Sequence, residues 1–408
     1  MMGRNCIVAQ SGGPTAAINA SLAGIISAVK ASEKYDKLYG SIHGIQGVLR
    51  KKFMDLSELD EDFIERLSAT PAMYLGSCRF KLPDMNEDEK PYKDIFEVFE
   101  EYNIGAFFYI GGNDSMDTVA KLSAYAEKIG SGIRIAGIPK TIDNDLLVTD
   151  HTPGFGSAAK YVASSIREIA YDTYIYDVKS VTIVEIMGRD AGWLTAASVL
   201  ARNEFSEAPH LIYLPEVSFD KGQFIKDLEH EFEKHKNIIV AVSEGIHDKD
   251  GNYIAASTAR EDKFGHAQLS GAGKALEYLV KEELGVKVRS VEINVLQRAA
   301  GHMASKTDLE ESISLGNSAV SFTEAGETGF MTVIKRLSDE PYTYEIDFSD
   351  VSKIANEAKG VPVSWINEAG NDVTDELIAY VSPLVEGEVD GYYKNGIVDY
   401  VPIPHLVK

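Results

Sequence analysis

Cysteine is nearly absent from this chain. Cys6 and Cys78 are the only two in 408 residues, too few for a disulfide framework, and no Cys/His set has zinc-site spacing. Cys6 lies in an apolar strand-like run and Cys78 beside Arg79, so both read as buried or bystander thiols. Long apolar runs are missing too. None approaches ~18 residues, and the N-terminus lacks the apolar core of a signal peptide, so a cytoplasmic protein with no membrane partner is expected. Basic charge is scarce: 40 Lys and Arg stand against 63 Asp and Glu, a net charge of -23. Nothing supplies the basic face that duplex nucleic acid requires. No Walker A sequence occurs, since Gly273-Lys274 lacks both the upstream glycine and the following hydroxyl residue. Low-complexity tracts are also lacking. With 44% hydrophobic residues the chain is long enough for two domains and a sizeable core.

Among what is present, the stretch Gly137-Ile138-Pro139-Lys140-Thr141-Ile142-Asp143-Asn144-Asp145 organises the rest. A largely apolar run from Ile133 to Ile138 reads as a buried strand. A cation, a hydroxyl and two carboxylates follow it. In doubly wound folds ligands bind outside the carboxyl ends of strands. Asp143 could take a proton from a hydroxyl, Lys140 could neutralise a phosphoryl group, and Asp145 could hold a metal or orient its neighbours. Taken alone, the stretch reads more readily as a polar Asx turn.

Its company matters. Asn5 to Gln10 reads as a strand entering Ser11-Gly12-Gly13-Pro14-Thr15, where two glycines let backbone amides approach an anion at a helix N-terminus. A tight connection without ligand explains that fragment equally well. Ala106 to Ile110 runs into Gly111-Gly112-Asn113-Asp114-Ser115, a second such turn carrying a carboxylate. Gly154, Gly156 and Ala159 satisfy G-x-G-x-x-A, yet a polar loop with Pro153 precedes them instead of a strand, so the match is read as a decoy. A capping-box pattern from Ser57 to Asp60 opens a helix. Further strands are expected at 180–186, 210–214, 238–242, 286–294 and 330–334, alternating with helices. That alternation predicts an α/β fold with largely parallel sheets. Past about Ser338 the pattern loosens, and Tyr392 to His405 reads as an irregular aromatic tail.

Taken together, SGGPTAAIN, LGSCRF, IGGNDS, GIPKTIDND, IMGRDAGWLT, SEG and LQR, running in this order from residue 11 to residue 298, resemble the A-type phosphofructokinase family. The resemblance implies two Rossmann-like three-layer domains with the active site in the cleft between them. Residues 1–145 with about 297–345 would bind the donor, and 146–296 with part of 346–408 the sugar phosphate. It implies phosphoryl transfer to the 1-hydroxyl of fructose 6-phosphate with Mg²⁺, in a homodimer or homotetramer. Matched residue by residue, Asp143 is the proton acceptor and Thr141 lies beside it at the sugar. Gly13 offers an amide to the donor, and Arg79 bridges donor and acceptor phosphates. Met187, Gly188, Arg189, Glu244 and Arg298 hold the sugar phosphate, with Arg289 at another phosphate position. Glu244 would face a sugar hydroxyl, because a carboxylate repels phosphate.

Two positions bear on the donor. ATP-using members resemble GGDGS and PGTIDND, with glycine where this chain has Asp114 and Lys140. A carboxylate at 114 intrudes on nucleotide space, while Lys140 offers charge to a small donor. The pair resembles the pyrophosphate-dependent members. Three departures accompany it. Asn113 stands where ATP-dependent members place a Mg²⁺-associated Asp, so metal contact passes from Asn113 alone to a set that includes Asp114, Asp145 or water. Val295 replaces a sugar-phosphate His, and Ser180 an intersubunit Arg.

Overall fold

The computed structural model describes residues 4–78, 80–254, 271–354 and 358–404. Arg79, expected at the site, and His405 lie outside the described residues. Chain order is β1 (Arg4–Gln10), α1 (Ile18–Ala31), β2 (Tyr35–Ser41), α2 (Gly44–Leu49), β3 (Phe53–Asp55), α3 (Glu61–Ser68), α4 (Lys90–Glu101), β4 (Ile104–Gly111), α5 (Asn113–Lys128) and β5 (Arg134–Pro139). Then come α6 (Phe155–Tyr174), β6 (Ser180–Ile186), α7 (Trp193–Ala197), β7 (Leu211–Tyr213), α8 (Lys221–Glu231), β8 (Asn237–Ser243), α9 (Ala272–Leu284) and β9 (Lys287–Glu292). The last part holds α10 (Lys306–Ala325), β10 (Phe330–Asp339), β11 (Tyr342–Asp350), α11 (Asp375–Val381) and a small hairpin, β12 (Tyr393–Lys394) with β13 (Ile397–Val398).

Two sheets carry the fold. One has seven strands in the order β11-β10-β5-β4-β1-β2-β3, the other four in the order β7-β8-β6-β9. The smaller sheet is parallel throughout. In the larger, only the outer strands β11 and β3 run antiparallel. Each sheet is covered on both faces, which explains why its central strands are apolar without a polar side. In β1, Cys6 and Val8 join the core beneath α1, α3 and α10, while Ile7 and Ala9 join the core beneath α2, α4 and α5. Around β6, Val184 and Ile186 face α6, α7 and α11, whereas Val181 and Ile183 face α8 and α9.

Both cysteines are buried free thiols. None of the helices in the described residues is long and apolar enough to cross a membrane.

Three local expectations need correction. The helix near residue 60 is capped by Asp60, whose side chain accepts from Phe63 N at 2.8 Å. Ser57 instead serves the sheet, its Oγ accepting from Leu38 N at 3.0 Å. Beyond Ser338 order continues as the β10–β11 hairpin, paired from Phe330↔Asp350 to Asp339↔Tyr342. The tail is docked as well. Arg66 Nη2 contacts Asp399 at 3.1 Å and its guanidinium lies over Tyr392, while Val401 is buried and donates to Thr70 Oγ1.

Candidate active site

Gly13, Asn113 and Lys140 follow the carboxyl ends of the neighbouring parallel strands β1, β4 and β5. The strand order reverses direction between β1 and β4, the place where such sheets open a crevice. Lys140 draws the three ends together. It is 3% exposed, its Nζ donates to Gly13 O at 2.7 Å, and its amide donates to Gly111 O at 3.0 Å. The two glycines leave room for the cations that converge here. Gly12 has φ +85°, and a Cβ there would stand 3.1 Å from Lys140 Nζ; one on Gly13 would stand 3.2 Å from Arg298 Nη1.

Thr141 fixes the turn that follows, its Oγ1 accepting from Asp143 N at 3.1 Å and its own amide donating to Pro153 O at 3.2 Å. Asn144, fully buried in a left-handed conformation, separates the two carboxylates of Asp143 and Asp145. Burial and the field of Asp145 push the Asp143 carboxyl up to about 6, against the pull of Lys140, Arg189 and Arg298. Burial also raises Asp145, while burial and Arg298 bring Lys140 down to about 8 against the two carboxylates. Asn113 Nδ2 donates to Asp145 Oδ2 at 3.2 Å, and Asn113 Oδ1 is buried with no hydrogen-bond partner. Asp114 is exposed on the first turn of α5.

The second sheet faces this cluster with its own carboxyl ends. Met187 N donates to Gln297 Oε1 and Gly188 N to Glu244 Oε1, each at 3.4 Å. Gly188, at φ +135°, also accepts from Ser243 Oγ. Gly245 is obligatory, since a Cβ there would stand 1.9 Å from Arg189 O. Arg189 pairs with Asp190 at 3.4 Å. Burial lifts Glu244 to about 7. The backbone bond from Gly188 opposes this rise and Asp143 adds to it. Arg298, on the short turn Asn294–Arg298 past β9, reaches back to Gly13.

One expected residue is not brought there. Arg289 lies on the edge strand β9, level with Thr182, and its Nη1 donates to Asp172 Oδ2 at 3.1 Å. It stands short of the strand end at Glu292, so within a single chain it is held away from the cleft. The decoy has a physical explanation. The N-terminus of α6 is already occupied by Asp308, which accepts from Gly154 N, Ser157 N and Ser157 Oγ at 2.8, 2.9 and 2.5 Å. Gly156 serves packing, because a Cβ would stand 2.3 Å from Leu384 O.

Gln297, Lys359 and Tyr380 also contact the site's turns without having been expected there. Only Gln297 carried a signal, its place inside LQR.

The family model described as Phosphofructokinase matches residues 5–323. A pyrophosphate–fructose 6-phosphate 1-phosphotransferase of Xanthomonas campestris is 41% identical, covering 100% of this chain and 97% of its own. That of Methylococcus capsulatus is 40% identical over 99% and 96%. A crystal structure of pyrophosphate-dependent phosphofructokinase from Nitrosospira multiformis superposes with a TM-score of 0.89 at 39% identity, covering 98% of this chain and 96% of that one.

Proposed function

The chain belongs to the phosphofructokinase family, and from that premise we propose how its cleft performs the transfer. The chain moves a phosphoryl group from pyrophosphate to the 1-hydroxyl of fructose 6-phosphate. The sugar oxygen attacks one phosphorus, the bridging P–O bond breaks, and inorganic phosphate leaves. The hydroxyl proton passes to Asp143, whose raised carboxyl suits a base that must release it again near neutral pH. Little covalent work falls to the protein in such a transfer, which is mostly positioning and charge stabilisation. Lys140 and Arg298 supply fixed positive charge, the Gly12–Gly13 backbone a close approach for the donor, and Gly188 with Arg189 a seat for the sugar phosphate. Glu244, bonded to the Gly188 amide, is suited to a sugar hydroxyl, since its carboxylate would repel phosphate. The same arrangement runs in reverse when fructose 1,6-bisphosphate and phosphate are supplied.

Phosphofructokinases generally use Mg²⁺, and the residues here fit it. Among the described residues no group of three acidic, His or Cys side chains could hold a metal. The orphaned Asn113 Oδ1 beside the Asp145 carboxylate offers two oxygens, and Mg²⁺ is commonly held by one or two protein oxygens plus substrate phosphates and water. When bound, it would neutralise charge on the donor phosphates.

The observation that carries the donor reading is Lys140, a nearly buried ammonium fixed on Gly13 O between two carboxylates. It places charge where a small inorganic donor must sit, without any nucleoside contact. Phosphorus NMR of the chain with Mg²⁺, fructose 6-phosphate and pyrophosphate tests the reaction. Fructose 1,6-bisphosphate and phosphate should appear in equal amounts; hydrolysis of pyrophosphate without sugar phosphorylation would contradict it.

A further inference from the structure

We propose that Lys359 and Tyr380, both distant in sequence from the site, are positioning residues that clamp the turn carrying Asp143 and Asp145. The inference rests on the phosphotransferase reading above and adds residues to it. Lys359 N donates to Asp145 O at 2.8 Å, and its Nζ donates to Thr149 O at 3.2 Å and Asp150 O at 2.5 Å. Tyr380 OH donates to that same Asp150 carbonyl at 2.7 Å and accepts from Asn144 Nδ2 at 2.9 Å. The far side of the Asn144 amide is engaged too, Oδ1 accepting from Thr152 N at 3.1 Å, while Thr152 Oγ1 returns to Thr141 O at 2.8 Å. Both ends of the Asn144 side-chain amide are therefore engaged, and the loop from 144 to 152 is closed behind the two carboxylates.

The clamp also reaches the sugar side. Lys359 O accepts from Trp193 Nε1 at 2.8 Å, and Glu216 Oε1 accepts from both Val361 N and Gly192 N at 2.8 Å. One short segment, 359–361, thus ties the turn after β5 to the turn after β6. Neither Lys359 nor Tyr380 needs to touch substrate for this. Misplacing a reacting group by about 1 Å costs on the order of 10² in rate, so slack in this clamp registers in turnover before it registers in binding.

The test uses the full chain as Lys359→Met, Lys359→Arg and Tyr380→Phe, each read by steady-state kinetics with pyrophosphate and fructose 6-phosphate and by amide hydrogen exchange over residues 143–150. Lys359→Met and Tyr380→Phe should each lower kcat about tenfold with both KM values within about threefold, and speed exchange in that segment. Lys359→Arg should recover most of the rate. Unchanged kcat and exchange would overturn the clamp, as would a rise in both KM values that accounts for all of the lost kcat/KM. If Lys359→Met does not fold, Tyr380→Phe decides by itself. A wild type without turnover would contradict the phosphotransferase reading, and hydrogen exchange would still judge the clamp.

Discussion

At Asp143 and Lys140 burial works against charge on both partners, and their mutual attraction offsets only part of that cost. Asp143→Asn should lower kcat by at least ~10² while leaving fructose 6-phosphate binding largely intact. It should also raise the thermal midpoint at neutral pH. With the folded carboxyl near 6 and the free one near 3.8, the folded state binds the proton more tightly, so stability falls as pH rises through this interval. Asparagine removes that cost. The pH profile of kcat/KM should be bell-shaped. The acid limb near 6 reflects protonation of Asp143, and the alkaline limb near 8 loss of the Lys140 charge. A flat profile from pH 5 to 9 would contradict both assignments. Asp143, Lys140 and Asp145 were legible in the sequence because they share one strand-end turn. Lys359 was not, since its bond to Asp150 spans 209 residues and an isolated lysine has no local signature.

Between elements, α1 and α10 cross with their backbones in close approach. A Cβ on Gly24 would stand 2.2 Å from Ile313 O, and one on Gly316 2.2 Å from Ser21 O. Gly316→Ala should therefore destabilise the chain by about 1–3 kcal/mol, read as a lower urea midpoint, since backbone cannot yield as a side-chain tip can. An unchanged midpoint would mean that the helices separate freely. Strands β1, β4, β5, β6 and β8 were readable as apolar runs because both faces of each sheet are covered. β11 was missed although Tyr342, Tyr344, Ile346 and Phe348 alternate with polar residues, the period-two signal of a half-exposed edge strand. α11, at seven residues, is too short to display a helical period. The dinucleotide-like glycines were rightly set aside. Asp308→Ala should leave three donors at the start of α6 unsatisfied and cost several kcal/mol, at about 1–3 kcal/mol for each.

Across the whole molecule, the turns after both sheets meet where Arg298 approaches Gly13, and the resemblance puts the choice of donor on the larger sheet's side. Asp114 on the first turn of α5 and Lys140 past β5 are the residues where this chain departs from the glycines of ATP-using relatives by resemblance. Asp114→Gly should weaken pyrophosphate use and admit measurable ATP use, whereas Lys140→Gly should mainly lower kcat with pyrophosphate. The two effects should not simply add, because both residues address one donor site. The most direct test of the account is kcat/KM for pyrophosphate and for ATP in the wild type, with fructose 6-phosphate and Mg²⁺ saturating. The wild type should turn over robustly with pyrophosphate and little or not at all with ATP; robust turnover with ATP and none with pyrophosphate would overturn the donor assignment.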